Sequence, residues 1–295
     1  MSNTPSLDNF IIRTGCIVNP DLVYLLLESP EIAEKDIPHT SIGVWQRNKD
    51  WIKASLEYDG ISAAVCAGDS GGKRVVIVGS TGNFTAIDGG RATNGIIKKK
   101  EDALASVNFV HGSVLAVGIL GRIYRMKDPS SWDVLTNELI KTNIESSCEY
   151  PAGGFLVCGW QGLVAHYHGV VAERLESGTN VILTCIICDD DGEIFACGQK
   201  GTIVHGKKNS LKPLWLDGIT DDFWSITKFQ GEIYVSSTVA LYKLVDDETL
   251  ELVKFDGEEI PISFYHLDTY EDSLMLSVGK KDAVIFDGKD WTRIL

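Results

Sequence analysis

The stretch Leu115-Ala116-Val117-Gly118-Ile119-Leu120-Gly121-Arg122-Ile123-Tyr124 decides the fold of this chain. An apolar run ends in a glycine, two residues follow, and a second glycine precedes a return to apolar–polar alternation. This order predicts a β-hairpin in which two strands flank a tight turn and the glycines adopt positive φ. The same pattern, intact or degenerate, begins again at Val78, Cys158, Cys197, Val235 and Val278.

The copies lie 39, 41, 39, 38 and 43 residues apart, counted from Val78 through Val117 to the last one. A period near 40 residues with four short strands in each period is typical of a β-propeller. The sequence therefore predicts an all-β fold, a seven-bladed β-propeller of four-stranded antiparallel blades, WD40-like in architecture but without the WD signatures. One domain spans 1–295, and its predicted blades cover about 8–58, 60–99, 102–138, 143–177, 180–217, 222–256 and 261–295.

The charge of the chain limits the partners that it can bind. Its 295 residues are 44% hydrophobic, which suits a folded protein with a large core. There are 41 acidic and 27 basic residues, so the formal net charge is −14. Nucleic acids and anionic membranes attract the opposite sign of charge, and we expect neither as a partner. A basic protein suits an acidic surface, because long-range attraction accelerates the encounter.

Cysteine usage and the N-terminal residues predict a cellular compartment. The seven cysteines, an odd number, fall mainly on predicted inner strands and before hairpin glycines, and we interpret them as small buried side chains with reduced thiols. The first residues lack the basic and apolar segments of a signal peptide. No apolar run approaches the roughly 18 residues of a membrane span. These features predict a cytoplasmic protein that is monomeric before it binds its partner.

The motifs do not assemble into a catalytic or cofactor site. Strands follow the Gly-x-x-Gly turns, whereas a phosphate-binding loop requires a helix at that place. Cys185 and Cys188 point to opposite faces of one predicted strand. The acidic run Asp189–Asp191 has the spacing of a hairpin turn and not of a calcium loop. We therefore predict no enzyme, no cofactor and no metal site.

One face of the predicted propeller is the candidate functional site. The hairpins between second and third strands share this face with the connections between consecutive blades. It is predicted to carry acidic connections, an acidic insert in place of the first hairpin, and tryptophans near loop tips. Carboxylates around aromatic anchors suit a surface that binds a basic protein. The predicted partner-binding residues are Glu28, Glu31, Glu34, Asp36, Asp59, Glu101, Asp102, Trp160, Asp217, Asp221, Asp222, Trp224, Asp256, Glu258 and Glu259.

Gly-x-x-Gly hairpins and predicted outer strands led by Trp51, Trp132, Trp215 and Trp291 make the whole chain similar to irregular seven-bladed propellers. Among bacterial proteins it resembles the small acidic immunity proteins of polymorphic toxin systems, including contact-dependent growth inhibition. The resemblance implies an inhibitor that binds one basic secreted nuclease toxin, for instance an EndoU-type RNase, and covers its RNA cleft with an acidic face. Two alternatives stay open, a general interaction scaffold and a sugar-binding propeller or propeller enzyme.

Overall fold

The computed structural model describes residues 9–69, 71–97, 103–135, 139–255 and 260–295. Their strands form seven antiparallel sheets, and each sheet takes four consecutive strands from the chain. The seven-bladed propeller predicted from the period is thereby confirmed. None of the helices in these ranges is both long and apolar enough to cross a membrane.

The blades are numbered in chain order. Blades 1 to 4 consist of β1 (Ile11–Asn19), β2 (Leu22–Glu28), β3 (Thr40–Gln46) and β4 (Ile52–Leu56); β5 (Gly60–Ala67), β6 (Lys73–Gly79), β7 (Asn83–Asp88) and β8 (Arg91–Ile96); β9 (Leu104–Val110), β10 (Ser113–Gly118), β11 (Ile123–Asp128) and β12 (Ser131–Val134); and β13 (Ile144–Glu149), β14 (Phe155–Gly159), β15 (Leu163–His168) and β16 (Val171–Leu175). Blades 5 to 7 consist of β17 (Leu183–Cys188), β18 (Ile194–Gly198), β19 (Thr202–Gly206) and β20 (Lys212–Pro213); β21 (Phe223–Phe229), β22 (Glu232–Ser237), β23 (Leu241–Asp246) and β24 (Thr249–Leu252); and β25 (His266–Tyr270), β26 (Leu274–Val278), β27 (Ala283–Phe286) and β28 (Trp291–Arg293).

Three details of the structure differ from the sequence prediction or add to it. The insert of blade 1 contains a one-turn helix, α1 (Pro30–Ala33), which begins with proline and carries Glu31 in its first turn, both favourable at a helix N-terminus. Glu28 belongs to β2 and not to the insert. Trp215 does not lead an outer strand, because β20 ends at Pro213 and Leu214 then turns into the core between blades 5 and 6.

The hydrophobic core is divided among the interfaces between blades. The first strand of each blade neighbours the first strand of the next around the centre. Seven clusters of buried side chains fill the seven blade interfaces. On β14, Phe155 and Val157 pack towards blade 3, whereas Leu156 and Cys158 pack towards blade 5. Second strands are therefore apolar on both faces, which explains why they read as continuous apolar runs.

Within the part of the chain that the structure describes, blades 7 and 1 close the ring without sharing a strand. Leu25 and Leu27 pack against Leu276 and Ile285 at this interface. Polar contacts reinforce it, because the backbone N–H of Ile17 donates to Asp268 Oδ2 at 2.7 Å. Closure therefore depends on side-chain packing and on a carboxylate that lies deep inside the molecule.

The closing interface holds two titratable groups whose pKa values shift in opposite directions. Burial raises the pKa of Asp268 to about 6 from 3.8, against hydrogen bonds from the Ile17 and Thr269 backbone that lower it. Burial lowers the pKa of His266 to about 4 from 6.5, against a hydrogen bond with the Gly15 backbone. Cys16 lies beside Asp268 and stays protonated, since burial raises the pKa of its thiol well above the usual value.

These shifts predict opposing effects of pH on stability. Between about pH 4 and 6 the folded protein binds more protons at Asp268 than the unfolded chain, so this group loses stabilisation as pH rises. His266 binds fewer protons when folded, so its contribution grows between about pH 4 and 6.5. Asp268→Asn removes the contribution that falls with pH. Relative to the natural protein, we expect the unfolding free energy of this variant to rise by on the order of 1–2 kcal/mol as the pH goes from about 4 to 6. Urea unfolding at several pH values measures this change. His266→Gln is the control, because its unfolding free energy relative to the natural protein should fall as pH rises. Identical pH profiles for both variants would contradict the assignment.

Candidate protein-binding face

The antiparallel order of the strands defines two faces of the propeller. The links between second and third strands and the connections between blades lie on one side, which we call the loop face. The remaining turns lie on the other side, which we call the turn face. The ten predicted partner-binding residues that the structure describes belong to segments at the loop-face end of the blades.

The hairpin between β10 and β11 shows how the two repeated glycines act. Gly118 is extended, with φ −172°, so the prediction of positive φ at both glycines is wrong for the first. The left-handed conformation falls on Leu120 (φ 55°) and Gly121 (φ 71°). A Cβ on Gly118 would overlap the carbonyl oxygen of Ala103, and one on Gly121 that of Ile140. Both glycines allow close backbone approach, so the hairpin is packed tightly between the connections on its two sides.

The insert of blade 1 presents three exposed carboxylates to solvent. Glu31 lies in α1, Glu34 ends it, and Asp36 follows with a φ of 53°. Glu28 is half-buried and forms an ion pair with Arg13, so its charge is compensated. Glu31 and Glu34 are therefore the acidic side chains of this insert most available to a partner.

Asp221 and Asp222 have structural roles that their sequence position does not reveal. The Asp221 carboxylate accepts hydrogen bonds from Tyr242 Oη at 3.2 Å and Ser237 Oγ at 3.4 Å, and its carbonyl accepts from the Gly201 N–H at 2.7 Å. Asp222 Oδ1 accepts from the Lys200 N–H at 2.9 Å. The two residues tie the hairpins of blades 5 and 6 together. Reversing their charge would perturb these hairpins as well as the surface potential.

The remaining acidic positions divide into three groups. Asp59 is half-buried and accepts a hydrogen bond from Ser80 Oγ. Asp217 is exposed in the connection between blades 5 and 6. Five predicted positions lie outside the described residues: Glu101, Asp102, Asp256, Glu258 and Glu259.

Trp160 occupies the hairpin tip of blade 4, as predicted, and 44% of its surface is exposed. Its indole N–H donates to Glu145 Oε1 at 2.6 Å. Glu145 is on the inner strand β13, where burial raises its pKa against the lowering effect of this hydrogen bond. The contact fixes the indole in one orientation while leaving much of the ring accessible, which suits a rigid anchor.

Trp224 is a second fixed indole on the loop face. It begins the inner strand of blade 6 after Phe223, is 41% exposed, and donates from Nε1 to Thr238 Oγ1 at 3.0 Å. The ring of Tyr265 lies beside it, with centroids 6.2 Å apart. Trp224 is thus held from two sides and still presents ring surface to solvent.

The sequence reasoning missed most of the exposed apolar side chains on the loop face. Trp215 is 84% exposed in the connection between blades 5 and 6, and Ile262 is 73% exposed before blade 7. Aliphatic residues in short loops resemble strand residues, so composition gave no signal for them. The exposed large apolar residues of the loop face are Ile32, Ile37, Leu120, Leu139, Trp160, Trp215, Trp224, Val239, Ile260 and Ile262.

The loop face is mixed in charge and not uniformly acidic. Exposed lysines lie among the carboxylates, and they include Lys35 beside Glu34 and Lys200 at the hairpin tip of blade 5. Further exposed lysines of this face are Lys141, Lys280 and Lys281. Its distinguishing property is therefore the combination of rigid hairpins, exposed apolar side chains and carboxylates. Such a surface defines a protein-binding propeller.

Comparison with known proteins places the chain within that class. Immune protein Tsi7 of Pseudomonas aeruginosa strain PAO1 is 31% identical to this chain over an alignment of 299 positions. The alignment covers 95% of this chain and 96% of the relative. The chain therefore belongs to the family of this immune protein, and its propeller is of the immunity type. No model of a protein family matches the chain.

Solved structures agree on the fold. Virginiamycin B lyase from Staphylococcus aureus has a TM-score of 0.73 at 10% identity, covering 96% of this chain and 95% of its own. YCF48 from Cyanidioschyzon merolae has a TM-score of 0.69 at 12% identity, covering 96% of each chain. An enzyme and a protein of another kind share this architecture, so the fold by itself does not assign activity.

Proposed function

We propose that this chain is a non-catalytic immunity protein that binds one basic nuclease toxin and covers its active cleft with the loop face. The observation that carries the proposal is the set of exposed large apolar side chains, ten among the described residues, that lie among carboxylates on that face. Interfaces with high affinity depend on a few buried aromatic anchors within a rim that excludes water. Trp160 and Trp224 supply such anchors in fixed orientations, and Trp215 supplies a third exposed indole.

Charge supports a basic partner. The net charge of −14 would attract a nuclease whose cleft is positive because it binds phosphates. Exposed carboxylates such as Glu31, Glu34 and Asp217 would lie where nucleic-acid phosphates lie in the free toxin. The lysines of the loop face would contact acidic groups outside the cleft, which supports specificity for one toxin.

The proposed site of action is the cytoplasm. All seven cysteines are free thiols, which suits a reducing compartment. Burial raises the pKa of the thiols of Cys16, Cys148 and Cys158 well above the usual value, so they stay protonated and unreactive. A protein of this kind protects the producing cell where nucleic acid is exposed to the toxin.

The experiment is to express this chain together with the product of the reading frame upstream of its gene, and to measure binding and nuclease activity together. We expect a 1:1 complex, loss of RNA or DNA cleavage at one equivalent, and weaker binding as salt rises. A complex that leaves nuclease activity unchanged would contradict coverage of the cleft. Binding that is insensitive to salt would contradict the basic partner.

Charge reversal tests the face that binds. Glu31→Lys with Glu34→Lys is expected to slow association about tenfold and to reduce its salt dependence, because steering depends on charges near the interface. Asp190→Lys with Glu248→Lys makes the same change in net charge on the turn face, where both side chains are exposed. Stopped-flow association rates measure the effect. An equal loss in both double variants would show that net charge, and not the loop face, controls the encounter.

A further inference from the structure

Two neighbouring interfaces between blades on the turn face, 4–5 and 5–6, share a polar contact between two repeated positions. Both positions are counted from the second glycine of the hairpin, which is Gly162 in blade 4 and Gly201 in blade 5. One is the fourth residue after it, on the third strand. The other is the seventh, in the turn to the fourth strand. In blade 4 the first position is His166, and Lys208 from the turn of blade 5 donates to its Nδ1 at 3.2 Å. In blade 5 it is His205, whose Nδ1 lies 2.8 Å from Asp247 Oδ1 in the turn of blade 6. In both of these interfaces the turn places a charged side chain against the histidine of the preceding blade.

The interface between blades 3 and 4 lacks the contact that the next two interfaces have. The third-strand position is Arg125, and the matching turn residue of blade 4 is Gly169, which has no side chain to offer. Gly169 has a φ of 63°, and a Cβ added there would meet nothing within 4 Å. A hollow of about 400 Å³ occupies the space, which we call the Arg125 hollow; its lining is Val110, His111, Ser113, Leu115, Arg125, Gly153, Gly154, Phe155 and Gly169.

Arg125 lacks a partner of opposite charge in this hollow. Its Nε is buried and makes no hydrogen bond, and its guanidinium forms no ion pair with the described residues, although Asp133 lies opposite it on the neighbouring strand. Other arginines of the chain do pair with carboxylates, namely Arg13, Arg47, Arg74 and Arg293. A buried hydrogen-bond donor without a partner is costly, so a bound group that accepts from it would be favoured.

The lining specifies the chemistry of that group. Val110, Leu115 and Phe155 are buried apolar residues, which suits a ligand with a short apolar part. The His111 ring does not offer a second free cation, because its Nε2 lies 3.0 Å from the Tyr150 carbonyl and its Nδ1 lies 3.6 Å from Glu149 Oε2. One guanidinium beside a nearby carboxylate matches a single negative charge better than the two charges of a phosphate.

We propose that the Arg125 hollow binds an organic carboxylate, with its two oxygens on the Arg125 guanidinium and its apolar part against Phe155. The carboxylate would take the place that Asp247 takes beside His205 two interfaces further on. Its source is either a free small acid or the C-terminal carboxylate of a peptide chain. The site lies on the turn face, so it does not depend on the toxin-binding proposal.

Thermal unfolding in sodium propionate and in sodium chloride at equal ionic strength tests the site. We expect propionate at ten times its dissociation constant to raise the midpoint of the natural protein by about 2 °C relative to chloride. Arg125→Gln should abolish this difference. An equal rise in Arg125→Gln, or no rise in the natural protein, would overturn the proposal.

A matched pair of variants tests the same idea without a ligand. Gly169→Asp places a carboxylate in the hollow, and Gly169→Asn has the same shape and the same backbone strain without the charge. We expect Gly169→Asp to unfold at the higher temperature of the two and to lose the response to propionate. Equal midpoints together with an intact response would overturn the proposal.

A comparison of N-acetylvaline with propionate distinguishes the two sources of the carboxylate. Stronger binding of N-acetylvaline indicates a chain terminus, and stronger binding of propionate indicates a free acid. Either result supports a carboxylate site.

Discussion

Trp215→Ala is expected to weaken binding of the toxin about 30-fold while leaving the thermal unfolding midpoint unchanged. An indole at the centre of an interface contributes about 2 kcal/mol or more, which corresponds to that factor. Trp215 is 84% exposed and lies outside the seven core clusters, so the propeller loses little when its ring is removed. Isothermal titration with the toxin domain measures the affinity, and circular dichroism measures the unfolding midpoint.

The matched control for this substitution is Val171→Ala. Val171 is 69% exposed on β16, an outer strand away from the loop face, so its removal also deletes exposed apolar surface. We expect the control to bind as tightly as the natural protein. Wild-type affinity of Trp215→Ala would show that the connection between blades 5 and 6 lies outside the interface. A lower unfolding midpoint would show that the indole serves the fold.

The architecture was predictable because its physical signals are local and repeated. A second strand buried on both faces must be apolar throughout, and a hairpin pressed between two connections must contain glycine. Six copies of the strand–turn–strand pattern at a period near 40 residues, four of them with both glycines, leave few alternatives. The conformation of Gly118 was not predictable, because its requirement comes from contact with Ala103, fifteen residues earlier in the chain.

The layout of the loop face was predictable only in part. Sequence gave the side of the propeller and the positions of Trp160 and Trp224, since loop location follows from strand order. The sequence did not show that the Asp221 carboxylate accepts hydrogen bonds from Tyr242 and Ser237, because these partners belong to the next blade. It also assigned Trp215 to an outer strand that ends two residues earlier. Contacts between blades, and not local pattern, decide which loop side chains remain available.

The relation to Tsi7 and the exposed apolar side chains support each other. The family relation gives an immunity-type propeller but does not name a contact. The structure gives the contacts that are physically available, which are a set of rigid anchors among carboxylates on one face. In blades 3, 4 and 5 the position of the hairpin is fixed by its glycines while the tip residues are free to vary. Partner specificity can therefore change at the tips without loss of the fold.

Gly162→Ala tests how far the stability of the propeller depends on the close approach of a hairpin to the neighbouring connection. We expect a large loss of unfolding free energy. Gly162 has a φ of 61°, and a Cβ on it would overlap the carbonyl oxygen of Thr179. Its N–H donates to the Val181 carbonyl at 2.8 Å, and its carbonyl accepts from Ser177 Oγ at 2.7 Å. The chain cannot relieve the overlap without breaking these bonds, so we expect a loss of about 3–5 kcal/mol of unfolding free energy.

Gly169→Ala separates the two causes of that loss. Gly169 lies in the same blade with a φ of 63°, but a Cβ there meets nothing within 4 Å. Its substitution therefore carries the strain of the left-handed conformation alone, about 1–2 kcal/mol. Urea unfolding of both variants measures the difference, which we assign to the contact between hairpin and connection. Equal losses would mean that backbone conformation, and not close approach, explains the glycine, and that the hairpin tips are less firmly held than the geometry indicates.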